Sequence, residues 1–146
     1  MSIVEFQKNN FTISTDPSLI QIQTVHEYLS KESYWAKDRP LEIVAKSIKN
    51  SLCFGVYTSN KQIGFSRIVT DYAVFAYILD LFILKKHQGQ GLGKWLMSCM
   101  LSHPDLQSKM IWVLSTKDAH GLYKKHNFTN LSNPENWMTL DKRQYE

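Results

Sequence analysis

The stretch from Val74 to Lys94 constrains this chain more than any other part of it. An almost wholly apolar run leads into Gln88-Gly89-Gln90-Gly91-Leu92-Gly93, and a helical face follows. Val74 to Leu84 is β-branched, aromatic or aliphatic except for Asp80, which reads as a central strand buried on both faces. Leu92, Leu96, Cys99 and Met100 then recur at helical spacing up to His103-Pro104. A strand, a glycine turn and a helix in direct succession leave backbone N–H groups unpaired at the positive end of a helix dipole, which is a ready site for phosphate. Two well-known versions of such a turn are excluded by spacing. A dinucleotide fingerprint counted from Gly89 needs glycine where Lys94 stands, and a P-loop needs glycine at Gln88 and serine or threonine at Trp95.

The remaining elements follow from periodicity. Phe11–Ser14 alternates as a short strand, and Asp16-Pro17 reads as a cap opening a first helix with Ile22, Val25 and Leu29 on one face. Leu41, Val44, Ala45 and Ile48 mark a second helix ending at Asn50. Leu52–Thr58 and Gln62–Thr70 form a hairpin pair across Ser59-Asn60-Lys61. Met110–Leu114 is a further buried strand, and a helix carries Ala119, Leu122, Tyr123 and His126, with Asn127 placed for a left-handed cap. Residues 128–131 and 137–140 are expected to close the sheet as a strand pair. Neither a repeat nor a linker interrupts the chain, so residues 1–146 read as a single domain of the mixed α+β class.

Composition narrows the function. The net charge of +4 suits a polyanionic partner, but the basic residues are scattered and no aromatic-interleaved stripe marks a nucleic-acid surface. There is no run of the roughly 18 apolar residues that would span a bilayer. The N-terminus lacks a signal-peptide pattern, so a soluble cytoplasmic protein is expected. Cys53 and Cys99 stand alone in apolar stretches, reading as core residues with no metal-ligand spacing.

Gln-x-x-Gly-x-Gly, from Gln88 through Gly91 to Gly93, resembles the acetyl-CoA pyrophosphate loop of the GNAT N-acetyltransferase superfamily. Asp118-Ala119-His120-Gly121-Leu122-Tyr123-Lys124-Lys125-His126-Asn127-Phe128 is similar to the family's second signature, and the likeness is strongest from Gly64 to Phe128. Gln88, where arginine is commoner, and Asn127, where glycine often stands, depart from the pattern while keeping the backbone amides and the tyrosine. The resemblance implies a mostly antiparallel sheet of six to seven strands flanked by about four helices, with acetyl-CoA as co-substrate and no metal. It implies that Gln88, Gly89, Gln90, Gly91, Leu92, Gly93 and Lys94 hold the cofactor's phosphates. Leu81, Phe82 and Ile83 would pair with its pantetheine arm, and Asp118 and Tyr123 would lie beside it.

The catalytic candidates are Tyr123, as proton donor to the departing thiolate, and Asp80, as the acid facing the acceptor amine. Asp80 reads alternatively as the buried partner of a base such as Arg67, and His120 competes as general base. The acceptor pocket is expected from Tyr34, Trp35, Arg39, Arg67, Asp71, Tyr72 and Phe75. The expected reaction is acetyl transfer to a primary amine of a small molecule. A protein acceptor and a non-catalytic acyl-CoA sensor are the alternatives. Small domains of this kind can form homodimers, and no residue pattern marks a face for one.

Overall fold

Short turns join three of the five neighbouring strand pairs, and helical connections join the other two. The computed structural model describes residues 2–143. Strands β1 (Glu5–Lys8), β2 (Phe11–Ser14), β3 (Leu52–Thr58), β4 (Lys61–Thr70) and β5 (Phe75–Ile83) lie side by side, antiparallel and in sequence order. Ser59 and Asn60, at φ 50 and 63, make the turn between β3 and β4, where two left-handed residues match the twist of the paired strands. β6 (Ile111–Val113) joins the far edge parallel to β5. β1 was not legible because its EFQK sequence half-buries only Phe6, as befits an edge strand.

Four α-helices cover the sheet: α1 (Ile22–Glu27), α2 (Leu41–Lys49), α3 (Leu92–Leu101) and α4 (His120–Lys124). Pro17 opens a 3-10 turn instead of a helix. The Asp16 carboxylate accepts the Ser18 amide at 2.9 Å there, and α1 starts five residues later. On one face Leu96, Met97 and Met100 of α3 pack on Ile13, Phe54, Ile68, Ala76 and Ile78. On the other, Val25, Leu29 and Val44 pack on Cys53, Phe65 and Phe82. Each such fully buried aliphatic side chain contributes about 1.5–3 kcal/mol. Both cysteines lie in this core, and burial pushes the Cys53 thiol up to about 12 and that of Cys99 up to about 11, which makes them unreactive.

Two further expectations are corrected. Residues 128–131 and 137–140 form no strands. The segment holds one 3-10 turn, Pro134–Asn136, and leaves Leu131, Trp137, Met138 and Leu140 exposed, because no packed cluster receives them. β5 is not buried on both faces throughout: Ala76 and Ile78 are sealed under α3, whereas Phe75, Tyr77 and Leu79 are only half-buried. It also carries a bulge. Phe65 pairs with Phe82 but Arg67 with Leu79, so Asp80 and Leu81 together oppose Ser66, and Asp80 takes φ 58.

Candidate functional site

β5 and β6 pair only over Phe75–Tyr77 and Ile111–Val113. Past Tyr77, β5 runs on to Ile83 paired with β4 on one side and with no strand on the β6 side, so Leu81, Phe82 and Ile83 border the slot left where the β5–β6 pairing ends. Gln88 ties the glycine turn to the end of that strand, its carboxamide N–H donating to the Ile83 carbonyl at 2.8 Å. Gly89 and Gly91 take φ 83 and 84, a conformation that L side chains adopt only under strain. A Cβ at either would meet nothing within 4 Å, so the space over the turn is open.

The amides of Gly91, Leu92, Gly93 and Lys94 find no acceptor among the described residues, and no side chain caps α3. No acidic residue stands in the first turn of that helix. Unpaired amides, the dipole of a ten-residue helix and an open approach together suit a pyrophosphate. Lys85 and Lys86 just before the turn and Lys94 in the first turn of α3 are exposed, as is Lys125 at the end of α4.

α4 is set against this turn, with a Cβ on Gly93 reaching Leu122 Cδ2 at 4.0 Å. Tyr123 is half-buried on α4 and meets Phe128 edge to face at 6.1 Å. Asn127, at φ 70, reverses the chain so that Phe128 N–H donates to the Tyr123 carbonyl. Burial pushes the Tyr123 phenol up to about 12, with Tyr34 and the exposed Asp118 adding to it. His120 lies three residues before Tyr123, exposed on the same side of α4, and both border a cavity of about 690 Å³ outside β6. Tyr34 reaches the loop after β6, its hydroxyl accepting the Lys117 amide at 2.9 Å and its ring standing edge-on to Trp35 at 5.2 Å.

Asp80 does not present a free carboxylate to an acceptor. Its side chain is 1% exposed; Oδ2 accepts from Arg67 Nε at 2.7 Å and Arg39 Nη1 at 2.9 Å, and Oδ1 accepts from Trp35 Nε1 at 2.9 Å. The left-handed bulge turns the carboxylate toward these donors, and a buried carboxylate is tolerated because it is paired. Of the alternatives left open by sequence, the ion pair is the one found. Trp35, Arg39 and Arg67 are thus brought together, but around Asp80.

Asp71 and Tyr72 are not part of that group. β5 separates their turn from Asp80 by roughly 16 Å, at about 3.3 Å per residue. Asp71 Oδ1 accepts the amides of Ala73, Val74 and Phe75, which hold its carboxyl below the usual range, and Tyr72 is half-buried against the core cluster that α3 covers. Phe75 does lie on the open side of β5. Tyr77, Leu79, Val69 and Val113 share that face and were missed, since an apolar strand gives no signal for which face stays uncovered. Among the described residues no group of three His, Cys, Asp or Glu side chains converges as a metal site, and no helix is long and apolar enough to cross a membrane.

Residues 49–130 match the family model of the acetyltransferase (GNAT) domain. A crystal structure of a Xanthomonas campestris pv. campestris protein, described as an acetyltransferase belonging to the GNAT family, is 43% identical and superposes with a TM-score of 0.86 over 90% of this chain and 92% of that one. A Gibberella zeae protein named as an acetyltransferase is 30% identical over 112 residues, 64% of this chain and 63% of its own. The ycf52-like protein of Prochlorococcus marinus, named as an uncharacterized N-acetyltransferase, is 39% identical over 80 residues, 51% of this chain and 44% of its own. The chain therefore spans less than two thirds of the length of these curated relatives.

Proposed function

This chain belongs to the GNAT acetyltransferase family, and on that premise we propose that it transfers the acetyl group of acetyl-CoA to the primary amine of a small molecule, by direct attack in a ternary complex. The observation that carries this reading is the unpaired amide array Gly91–Lys94 at the end of a strand that splays from its neighbour. In this reading the amides hold the pyrophosphate, and the uncovered edge of β5 at Leu81 and Phe82 pairs with the pantetheine amides. The thioester then lies in the slot, near the open face of the sheet.

Transfer forms a C–N bond, breaks the C–S bond and releases one proton from the amine nitrogen. Tyr123 serves the departing sulfur. Its phenol, pushed up to about 12 by burial, is a far weaker acid than a thiol near 8.5, so the proton is not given up ahead of the departing sulfur. Tyr123 thus acts as a hydrogen-bond donor that stabilises sulfur as charge develops, without surrendering its proton first. The amine's proton goes to His120 or through it to water, because both oxygens of Asp80 are occupied whereas His120 is exposed and one helical turn from Tyr123.

Incubation with acetyl-CoA and a panel of amines, followed by free thiol and by product mass, tests the reading. Stoichiometric thiol and N-acetyl product are expected. Acetyl-CoA binding with no product from any amine would retire the enzyme and leave an acyl-CoA sensor.

A further inference from the structure

We infer that the acceptor is an amino acid with an apolar or aromatic side chain, its carboxylate met by Arg67 and Arg39 and its side chain laid on the open face of β4, β5 and β6. This rests on the acetyltransferase reading above and names the substrate class of the same site.

The charge balance comes first. Arg39 and Arg67 share one carboxylate, and among the described residues no other acid lies within 4.0 Å of either guanidinium. The cluster therefore keeps one positive charge in surplus. Arg67 also donates from Nη1 to Ser51 Oγ at 3.1 Å, which leaves its Nη2 and that of Arg39 without an acceptor among the described residues. Neither nitrogen is fully sealed from solvent; the Arg67 side chain keeps 12% of its surface and the more buried Arg39 5%, so Arg67 is the outer of the two. Planar N–H groups with surplus charge and solvent contact suit a carboxylate. The acids that would instead favour a purely cationic acceptor are spent: Asp80 on this cluster, and Asp71 on the amides of its own turn.

The body of the acceptor follows from the register of the sheet. Residues directly opposite one another in adjacent strands project to the same face. Arg67 is opposite Leu79, Val69 opposite Tyr77, and Tyr77 and Phe75 opposite Val113 and Ile111. These apolar residues belong to neither packed cluster, and Val69 and Ile111 are 40% and 51% exposed. The reverse face of the same strands, Ile68, Ala76 and Ile78, is sealed. An apolar strip thus begins at the residue next to Arg67 and runs beside the slot where the thioester is placed. A zwitterion with an apolar side chain matches both features at once.

Phenylalanine, phenylalaninamide, phenethylamine and glycine vary the carboxylate and the side chain separately. With acetyl-CoA bound, phenylalanine should exceed phenylalaninamide and glycine by about tenfold or more in kcat/KM. Arg67→Gln should bring the acid-to-amide ratio close to one. Because Arg67 also holds Asp80, the ratio within one folded variant is the readout, not its absolute rate. Val69→Thr, which keeps the shape of the side chain, adds no charge beside Arg67 and makes the strip more polar, should raise KM for phenylalanine more than for glycine. Equal or better use of the amide by the wild type, or a ratio that Arg67→Gln does not move, would overturn the inference while leaving the transferase standing. Failure of the wild type to bind acetyl-CoA would instead remove the reading on which it rests.

Discussion

Arg67 lies 2.7 Å from Asp80 and shares the same carboxylate oxygen with Arg39, so the strand bordering the slot is joined by charge to β4 and to the connector between α1 and α2. The three residues come from positions 41 and 13 apart in sequence. Their meeting point is a left-handed residue in the middle of a strand, a conformation that aspartate tolerates better than most side chains.

Removing that carboxylate's charge leaves two arginines facing each other with no counter-charge. Asp80→Asn should destabilise the protein by about 3–5 kcal/mol, the cost of breaking a buried pair from one side. Urea unfolding measures it. A midpoint unchanged from wild type, with acetyl transfer alone lost, would return Asp80 to the catalytic role that its burial denies it.

Gly91→Ala separates conformation from space. Its Cβ would touch nothing within 4 Å, so any cost comes from φ 84, about 1–2 kcal/mol for an L residue held there. Thermal unfolding should show that loss, and acetyl-CoA affinity should fall as the turn relaxes. An unchanged melting temperature would mean that the left-handed geometry is not required.

Tyr123→Phe should lower kcat by tenfold to a hundredfold, matching the loss of a hydrogen bond to a charged group of about 1.5–3 kcal/mol, with little change in acetyl-CoA affinity. The wild-type phenol, pushed up to about 12, stays protonated where an ordinary tyrosine titrates, so turnover should show no Tyr123-dependent decline up to about pH 10. A falling limb near that pH that vanishes in Tyr123→Phe would contradict the assignment of a raised value.

His103 offers a test in the core. It is 1% exposed, its Nδ1 accepts the Asp105 amide at 3.1 Å, and burial holds its imidazole below the ordinary 6.5. The folded protein therefore binds fewer protons than the unfolded one, and this contribution is present above pH 6.5 and lost as pH falls through the folded value. Stability measured from pH 7.5 down to pH 5 should fall less steeply in His103→Asn than in the wild type. Equal slopes would mean that His103 is not held neutral.

What the sequence revealed divides along the range of the interaction. The glycine turn and the left-handed Asn127 were legible because residue type alone controls a local backbone choice. α2 and α3 were legible because their apolar stripes repeat at the helical period. The partners of Asp80 were not, since an isolated acid in an apolar strand states only that something must answer it. The bulge that aims Asp80 carries no glycine to announce it. The open side of β5 was equally hidden: Phe75, Tyr77 and Leu79 look as apolar as Ala76 and Ile78, and only the reach of α1 and α2 across the sheet decides which are covered.

The proposed transfer requires the turn Gln88–Lys94 to hold acetyl-CoA. Calorimetric titration of the wild type and of Gly91→Trp with acetyl-CoA tests it most directly, because an indole there would fill the open space over the unpaired amides. One-to-one binding by the wild type that is lost in a folded Gly91→Trp protein is the predicted result. No binding by the wild type, or equal affinity in both proteins, would contradict it.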